Sequence, residues 1–143
     1  MKKVSRTALL PYSALQMYNL VNDVAAYPEF LPWCGAAEVV SKADRNMVAK
    51  VTIAKSGLSQ TFETKNYLTP GERIEMHLLE GPFKHLEGEW LFKSLDENAC
   101  KIQFEVAFEV SNGVLNMAVG TVFEHINSTL VDSFCERAKV IYG

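Results

Sequence analysis

The sequence predicts an α+β fold in which a seven-stranded, curved antiparallel sheet wraps around one long C-terminal helix, with two short helices after the first strand. Three observations predict it. From Ala37 to Val110 the apolar residues recur with a period of two, in runs separated by turn-forming residues. From Ser111 onward the period becomes helical and stays so to about Ile141. Between the first strand and the alternating runs lies Tyr27-Pro28-Glu29-Phe30-Leu31-Pro32-Trp33-Cys34, which is apolar yet interrupted by two prolines. Each proline pushes its predecessor toward extended geometry, so only a short helical turn survives between them.

The elements follow in order. Residues 4–10 form the first strand, with Val4, Ala8 and Leu10 at even positions and Pro11 as its stop. Ser13-Ala14-Leu15-Gln16 is a capping box, the serine on the N3 amide and the glutamine reaching back, and it starts a helix through Val21. Asn22-Asp23 breaks that helix and caps a second, shorter one containing Tyr27 to Leu31. Six strands are expected at 37–43, 47–54, 59–68, 72–80, 85–95 and 99–110. Asp44-Arg45-Asn46, Ser56-Gly57, Thr69-Pro70-Gly71, Gly81-Pro82 and Asp96-Glu97-Asn98 separate them.

In the last strand Cys100, Ile102, Phe104, Val106, Phe108 and Val110 alternate with Lys101, Gln103, Glu105 and Glu109. One face of the sheet is therefore apolar and the other wetted. Ser111-Asn112-Gly113 opens the final helix, whose apolar stripe is Leu115, Val119, Val122, Ile126, Leu130, Phe134 and Ala138, with Asn116, Gly120, Glu124, Asn127, Asp132 and Glu136 mostly off it. Short links make the six strands a meander, and the only long amphipathic element available to cover their apolar face is that helix. The segment 27–33 then plugs one end of the gap between them.

A chain of 143 residues with 48% apolar and 22% charged residues makes one domain, 1–143, with a core that needs neither disulfide nor metal. The net charge of −3 argues against bulk attraction to DNA or other nucleic acid. Cys34, Cys100 and Cys135 are odd in number and lack CxxC spacing, as expected of reduced thiols in a cytoplasmic protein. Lys2-Lys3 precede only Ala8-Leu9-Leu10 before Pro11, too short an apolar run for a secretory signal. With no membrane-length apolar run either, any membrane contact is expected to be peripheral at most.

Catalytic constellations are thin. HExxH, P-loop, GxGxxG and GxSxG motifs are missing from the sequence. His77 and His85 fall near strand ends or on outward faces. His125 shares one helix with Ser128 and Asp132, where side chains cannot aim at a common reacting atom. Tyr67, Glu80 and Arg73 are the remaining candidates for a polar group deep in the fold.

Sequence motifs narrow the fold further. Ser5-Arg6-Thr7-Ala8, Pro11-Tyr12-Ser13-Ala14, Gln16-Met17-Tyr18, Leu20-Val21-Asn22-Asp23-Val24, Tyr27-Pro28, Phe30-Leu31-Pro32, Gly57-Leu58 with Phe62 and Thr64, Gly81-Pro82-Phe83-Lys84 and Arg137-Ala138-Lys139 run nearly the length of the chain. In that order they resemble the bacterial ribosome-association toxin group within the coenzyme-Q-binding START family. The resemblance implies the START-like helix-grip fold, whose plan matches the element order above. It implies two activities. One is non-enzymatic binding of ubiquinone or a similar isoprenoid lipid between sheet and long helix, in support of respiration. The alternative is a toxin that binds the large ribosomal subunit and blocks joining of the small one. A cyclase-type enzyme is a third reading, known among START-like relatives.

Candidate sites follow from the same pattern. A ligand cavity is expected to be lined by Val51, Phe62, Met76, Leu78, Trp90, Phe104 and Phe108 from the sheet and by Met117 and Val122 from the helix. Tyr27, Phe30, Leu31 and Trp33 would close its mouth as a gate. Methionine and aromatic side chains make an adaptable lining for a flexible hydrophobic molecule. The same residues also suit an ordinary filled core. Gly88 and Gly120, both inside regular elements, mark places where room or close approach is needed. For the ribosome alternative, Lys50 and Lys65 would point outward and could offer a basic patch to rRNA phosphates, among the nearby acids Asp44, Glu63, Glu72 and Glu75.

Overall fold

The computed structural model describes the backbone of residues 1–143 and the side chains of all but Val114 and Leu115. Its first element is β1 (Lys2–Leu10), followed by α1 (Ala14–Asn22) and a 3₁₀ helix (Val24–Glu29). Then come β2 (Cys34–Lys42), β3 (Asn46–Lys55), β4 (Leu58–Thr69), β5 (Arg73–Glu80), β6 (Phe83–Asp96), β7 (Ala99–Val110) and α2 (Val114–Tyr142). The seven strands form one sheet in the order β1-β7-β6-β5-β4-β3-β2, antiparallel throughout. Strands β2 to β7 are the expected meander. β1 closes the far edge by pairing Lys2 with Phe108 through Leu10 with Cys100.

Local chemistry accounts for the boundaries. The capping box at α1 forms as its sequence implies: Ser13 Oγ accepts from the Gln16 N–H at 3.1 Å, and Gln16 Oε1 accepts from the Ser13 N–H at 2.8 Å. The second short helix is a 3₁₀ turn that begins at Val24, earlier than the apolar cluster suggests. Pro28 lies inside it. With no N–H to donate and a restricted residue before it, proline tolerates this short, tighter winding better than a continuing α-helix.

Strand β2 starts at Cys34 rather than Ala37 because the register slips between Cys34 and Ala36 and skips Gly35. A Cβ on Gly35 would sit 3.0 Å from that of Ala54, so the slip needs glycine. A second irregularity lies between Val39 and Ser41. Such bulges blunt an open sheet edge against pairing with another chain.

On α2 the buried stripe is Val119, Phe123, Ile126, Val131, Phe134 and Ala138. Leu115, expected on this stripe, lies outside the described side chains. The helix makes most of its contacts with β1 and β7. The concave face of β3 to β6 therefore stands further from it, and the space between them is where the site lies.

Candidate functional site: an apolar cavity with polar groups in its wall

A cavity of about 90 Å³ lies between the sheet, α2 and the 3₁₀ segment. The 3₁₀ segment and the residues after it contribute Val24, Tyr27 and Trp33. Ala49 and Val51 come from β3, Phe62, Thr64 and Asn66 from β4, and Met76 from β5. Leu86, Gly88 and Trp90 on β6, Phe104 and Val106 on β7, and Phe123, Ile126, Asn127 and Leu130 on α2 complete the wall. Gly88 makes room for a neighbour: a Cβ there would meet Met76 Cε at 2.6 Å.

Of the residues expected at a ligand cavity, Tyr27, Trp33, Val51, Phe62, Met76, Trp90 and Phe104 come together on this wall. The others do not. Phe30 packs on the outer side of the 3₁₀ segment, its ring 5.3 Å from that of Phe134 and 4.9 Å from the Arg137 guanidinium. Leu31 is buried, but in the packing beneath the segment. Leu78, near the end of β5, is only partly covered. Phe108 is consumed by an aromatic cluster, with Phe123 at 4.8 Å and Phe83 at 6.2 Å. Met117 is 68% exposed in the first turns of α2. Val122 is half-buried and its neighbour Phe123 takes the central position. Both are apolar, so helical periodicity alone leaves their order undecided.

Thr64, Asn66 and Asn127 are the wall residues that an apolar template misses. The signal for two of them was present, because Thr64 and Asn66 share the phase of Phe62 and Leu68 on β4 and must face inward. Asn127 follows Phe123 by one helical turn and is 5% exposed.

The segment that covers the cavity is tied down by specific contacts. The Tyr27 hydroxyl donates to the Val21 carbonyl, and its ring meets Phe134 edge-on at 5.5 Å. Burial, with smaller effects of Cys34 and Asp23, raises the Tyr27 phenol well above its ordinary range, so it stays a donor. Arg137 on α2 reaches Glu29 at 3.4 Å while stacking on Phe30. Tyr142 closes the same end by donating to the Gln16 carbonyl at 2.8 Å.

Outside the sheet the charges interleave. Lys50 lies opposite Glu38 on one side and Glu63 on the other. Lys65 sits between Val48 and His77, with its ammonium 5.6 Å from the Tyr67 ring. Arg73 pairs with Glu75 and Glu89, and His77 lies 3.0 Å from Glu75. Glu75, Glu89 and Glu105 stand abreast across three strands in the wall of an open groove of about 470 Å³. Tyr67, Glu80 and Arg73 are all exposed, and none enters the cavity. Outward-facing register positions, which a one-strand pattern does not assign with certainty, explain that correction.

All three cysteines are unpaired, Cys34 and Cys100 being buried. Burial raises all three thiols, Cys100 to about 11, which keeps them protonated and poorly nucleophilic near neutrality. Among the described residues no cluster of three histidine, cysteine or acidic side chains is placed to hold a metal ion. None of the described helices is long and apolar enough to cross a membrane.

Comparison with known proteins places this architecture. Residues 10–135 match the family described as polyketide cyclase / dehydrase and lipid transport. The ribosome association toxin RatA of Vibrio cholerae is 50% identical over 143 residues, covering 100% of this chain and 99% of that protein. The chain belongs to the RatA family. RatA-type chains thus fall within the broader polyketide cyclase and lipid transport group. A more distant relative is the coenzyme Q-binding protein COQ10 homolog B, mitochondrial, of Xenopus laevis, 27% identical over 143 residues, with 97% of this chain and 59% of that protein covered. Among solved structures, the Zhui aromatase/cyclase from Streptomyces sp. R1128 superposes with a TM-score of 0.84 at 18% identity, over 96% of this chain and 93% of that one. At that identity the likeness is one of fold, the START-like helix grip shared by RatA chains and cyclases.

Proposed function

We propose that this chain acts on ribosome association, without catalysis and in the cytoplasm, as a toxin of the RatA type that engages the large subunit. The observation that carries the reading is identity at half of all positions along the whole length of a protein named for that activity. A change of function confined to one face or one end would be expected to leave a divergent segment, and coverage is complete on both sides. The test is sedimentation of purified ribosomal subunits with added chain. A dose-dependent loss of joined ribosomes supports the reading, and an unchanged gradient at excess chain overturns it. Lys50→Glu and Lys65→Glu then ask whether the outer sheet face is the contact. Each lysine has acidic or aromatic neighbours, so the variants test local geometry rather than a broad positive field.

A second reading is favoured by the cavity. Its wall is mainly aromatic and aliphatic, and the relative from Xenopus laevis is named for binding coenzyme Q. We propose that the cavity takes a hydrophobic small molecule of the quinone or isoprenoid class, with residues 27–33 as its gate. Size sets a condition. The closed cavity of about 90 Å³ falls well short of the roughly 300–1,000 Å³ of drug-sized ligand sites, so a tail must pass an opened gate. Organic extraction of the chain purified from its host, followed by mass spectrometry, tests this. A stoichiometric lipid supports it. Empty protein that also refuses added ubiquinone overturns it and leaves the ribosome reading intact.

A further inference from the structure

The hydrogen bonds in the cavity wall do not close on themselves. Thr64, Asn66 and Asn127 are 6%, 4% and 5% exposed. Thr64 Oγ1 donates to Asn66 Oδ1 at 2.8 Å, which leaves Asn66 Nδ2 without a partner among the described residues. Asn127 Nδ2 donates to the Phe123 carbonyl at 2.8 Å. A carbonyl can only accept, so that bond fixes which way round the amide lies and leaves Asn127 Oδ1 as a free acceptor. Trp33 is 8% exposed, and its indole N–H is shielded from solvent with no acceptor among the described residues.

These groups come from three separate elements: the segment before β2, strand β4 and helix α2. All of them border the same cavity. Buried donors in native proteins are nearly always met, and one left open in a cavity wall asks what meets it. A bare hydrocarbon leaves both donors unmet. A carboxylate would bring a charge into a wall that holds no cation to pair with it.

We infer that the cavity is built for an apolar molecule bearing a carbonyl oxygen, held by the Trp33 indole N–H and the Asn66 amide, with Asn127 Oδ1 receiving an adjacent hydroxyl or bridging water. The inference rests on the small-molecule reading above and narrows it, since it makes the oxygen of the head, rather than the hydrocarbon, the feature that is selected. A cavity of about 90 Å³ suits a head group and not a whole lipid.

The test compares 1-indanone with indane, which share one fused-ring frame and differ by a single carbonyl. Both are titrated into the ¹⁵N-labelled chain while the Trp33 indole resonance is followed. The expected result is about five- to tenfold tighter binding of indanone, the size of one or two net hydrogen bonds. The indole proton should shift downfield with indanone and not with indane. Trp33→Phe and Asn66→Leu should each bring the ratio toward one while keeping the affinity for indane. Equal binding of the two probes with an unshifted indole overturns the carbonyl inference and leaves the small-molecule reading standing. Failure of either probe to enter at millimolar concentration overturns both. The wild-type ratio decides the matter even if a variant does not fold.

Discussion

The two ends of α2 are held by different forces. At the N-terminal half, Phe123 lies among Phe62, Phe83 and Phe108 with ring centres 4.8–5.8 Å away, and Gly120 lets the helix approach Val110 closely. At the C-terminal half, Phe134 meets Tyr27, Phe30 and Trp90, but the covering segment also depends on the Arg137–Glu29 pair and the Tyr142 hydrogen bond. Burial of rings far from water is insensitive to salt. Part-exposed ion pairs are screened and individually weak. The cavity thus lies between a fixed wall and a releasable one, and the difference locates its door.

The comparison is broken most severely by Phe123→Ala. Truncating a ring at the centre of the fixed wall should cost about 3–5 kcal/mol, read as a lower urea midpoint with little change in slope. Gly88→Ala should be milder, within about 1–3 kcal/mol, because the atom in the way is the free end of Met76 and can swing aside. Its sharper signature is reduced uptake of any cavity ligand. Arg137→Ala should cost only about 0.5–1 kcal/mol, yet speed amide hydrogen exchange across residues 24–30 while the N-terminal half of α2 stays protected. Equal acceleration at both ends would erase the proposed asymmetry.

The smallest effect is nil at neutral pH. Burial raises the Cys100 thiol from 9.0 to about 11, so above pH 9 the unfolded chain loses its proton first. Stability is complete below that pH and should fall between about 9 and 11, where the unfolded state binds fewer protons than the folded one. Cys100→Ala should flatten this alkaline slope in a pH series of urea titrations.

Much of the fold is legible in the sequence because alternation and capping are local. Ser13 and Gln16 announce α1, and the run from Cys100 to Val110 declares its inner face without reference to anything else. Boundaries shift where a distant contact decides them, as at Gly35, whose skipped register depends on the Ala54 methyl across the strand. The site is less legible for a related reason. Period two says which face a residue occupies but not how far along the strand the helix covers it. Phe104 and Phe108 share a face, yet one reaches the cavity and the other is absorbed by Phe83 and Phe123. Thr64 and Asn66 escaped notice because an apolar template reads polar residues as outward, whatever their phase.

The placement of β1 beside β7 has a kinetic consequence. Its partners lie almost the full length of the chain away, whereas every other pairing in the sheet joins neighbours in sequence. The hairpins of the meander can form as they are made, but the first strand must wait for the last one. Val4→Ala should therefore speed unfolding and leave the refolding rate nearly unchanged in a chevron measurement. During synthesis the first strand spends that interval without its ladder. Lys2, Lys3, Ser5, Arg6 and Thr7, interspersed among its few apolar residues, are the kind of side chains that keep such a waiting strand from pairing elsewhere.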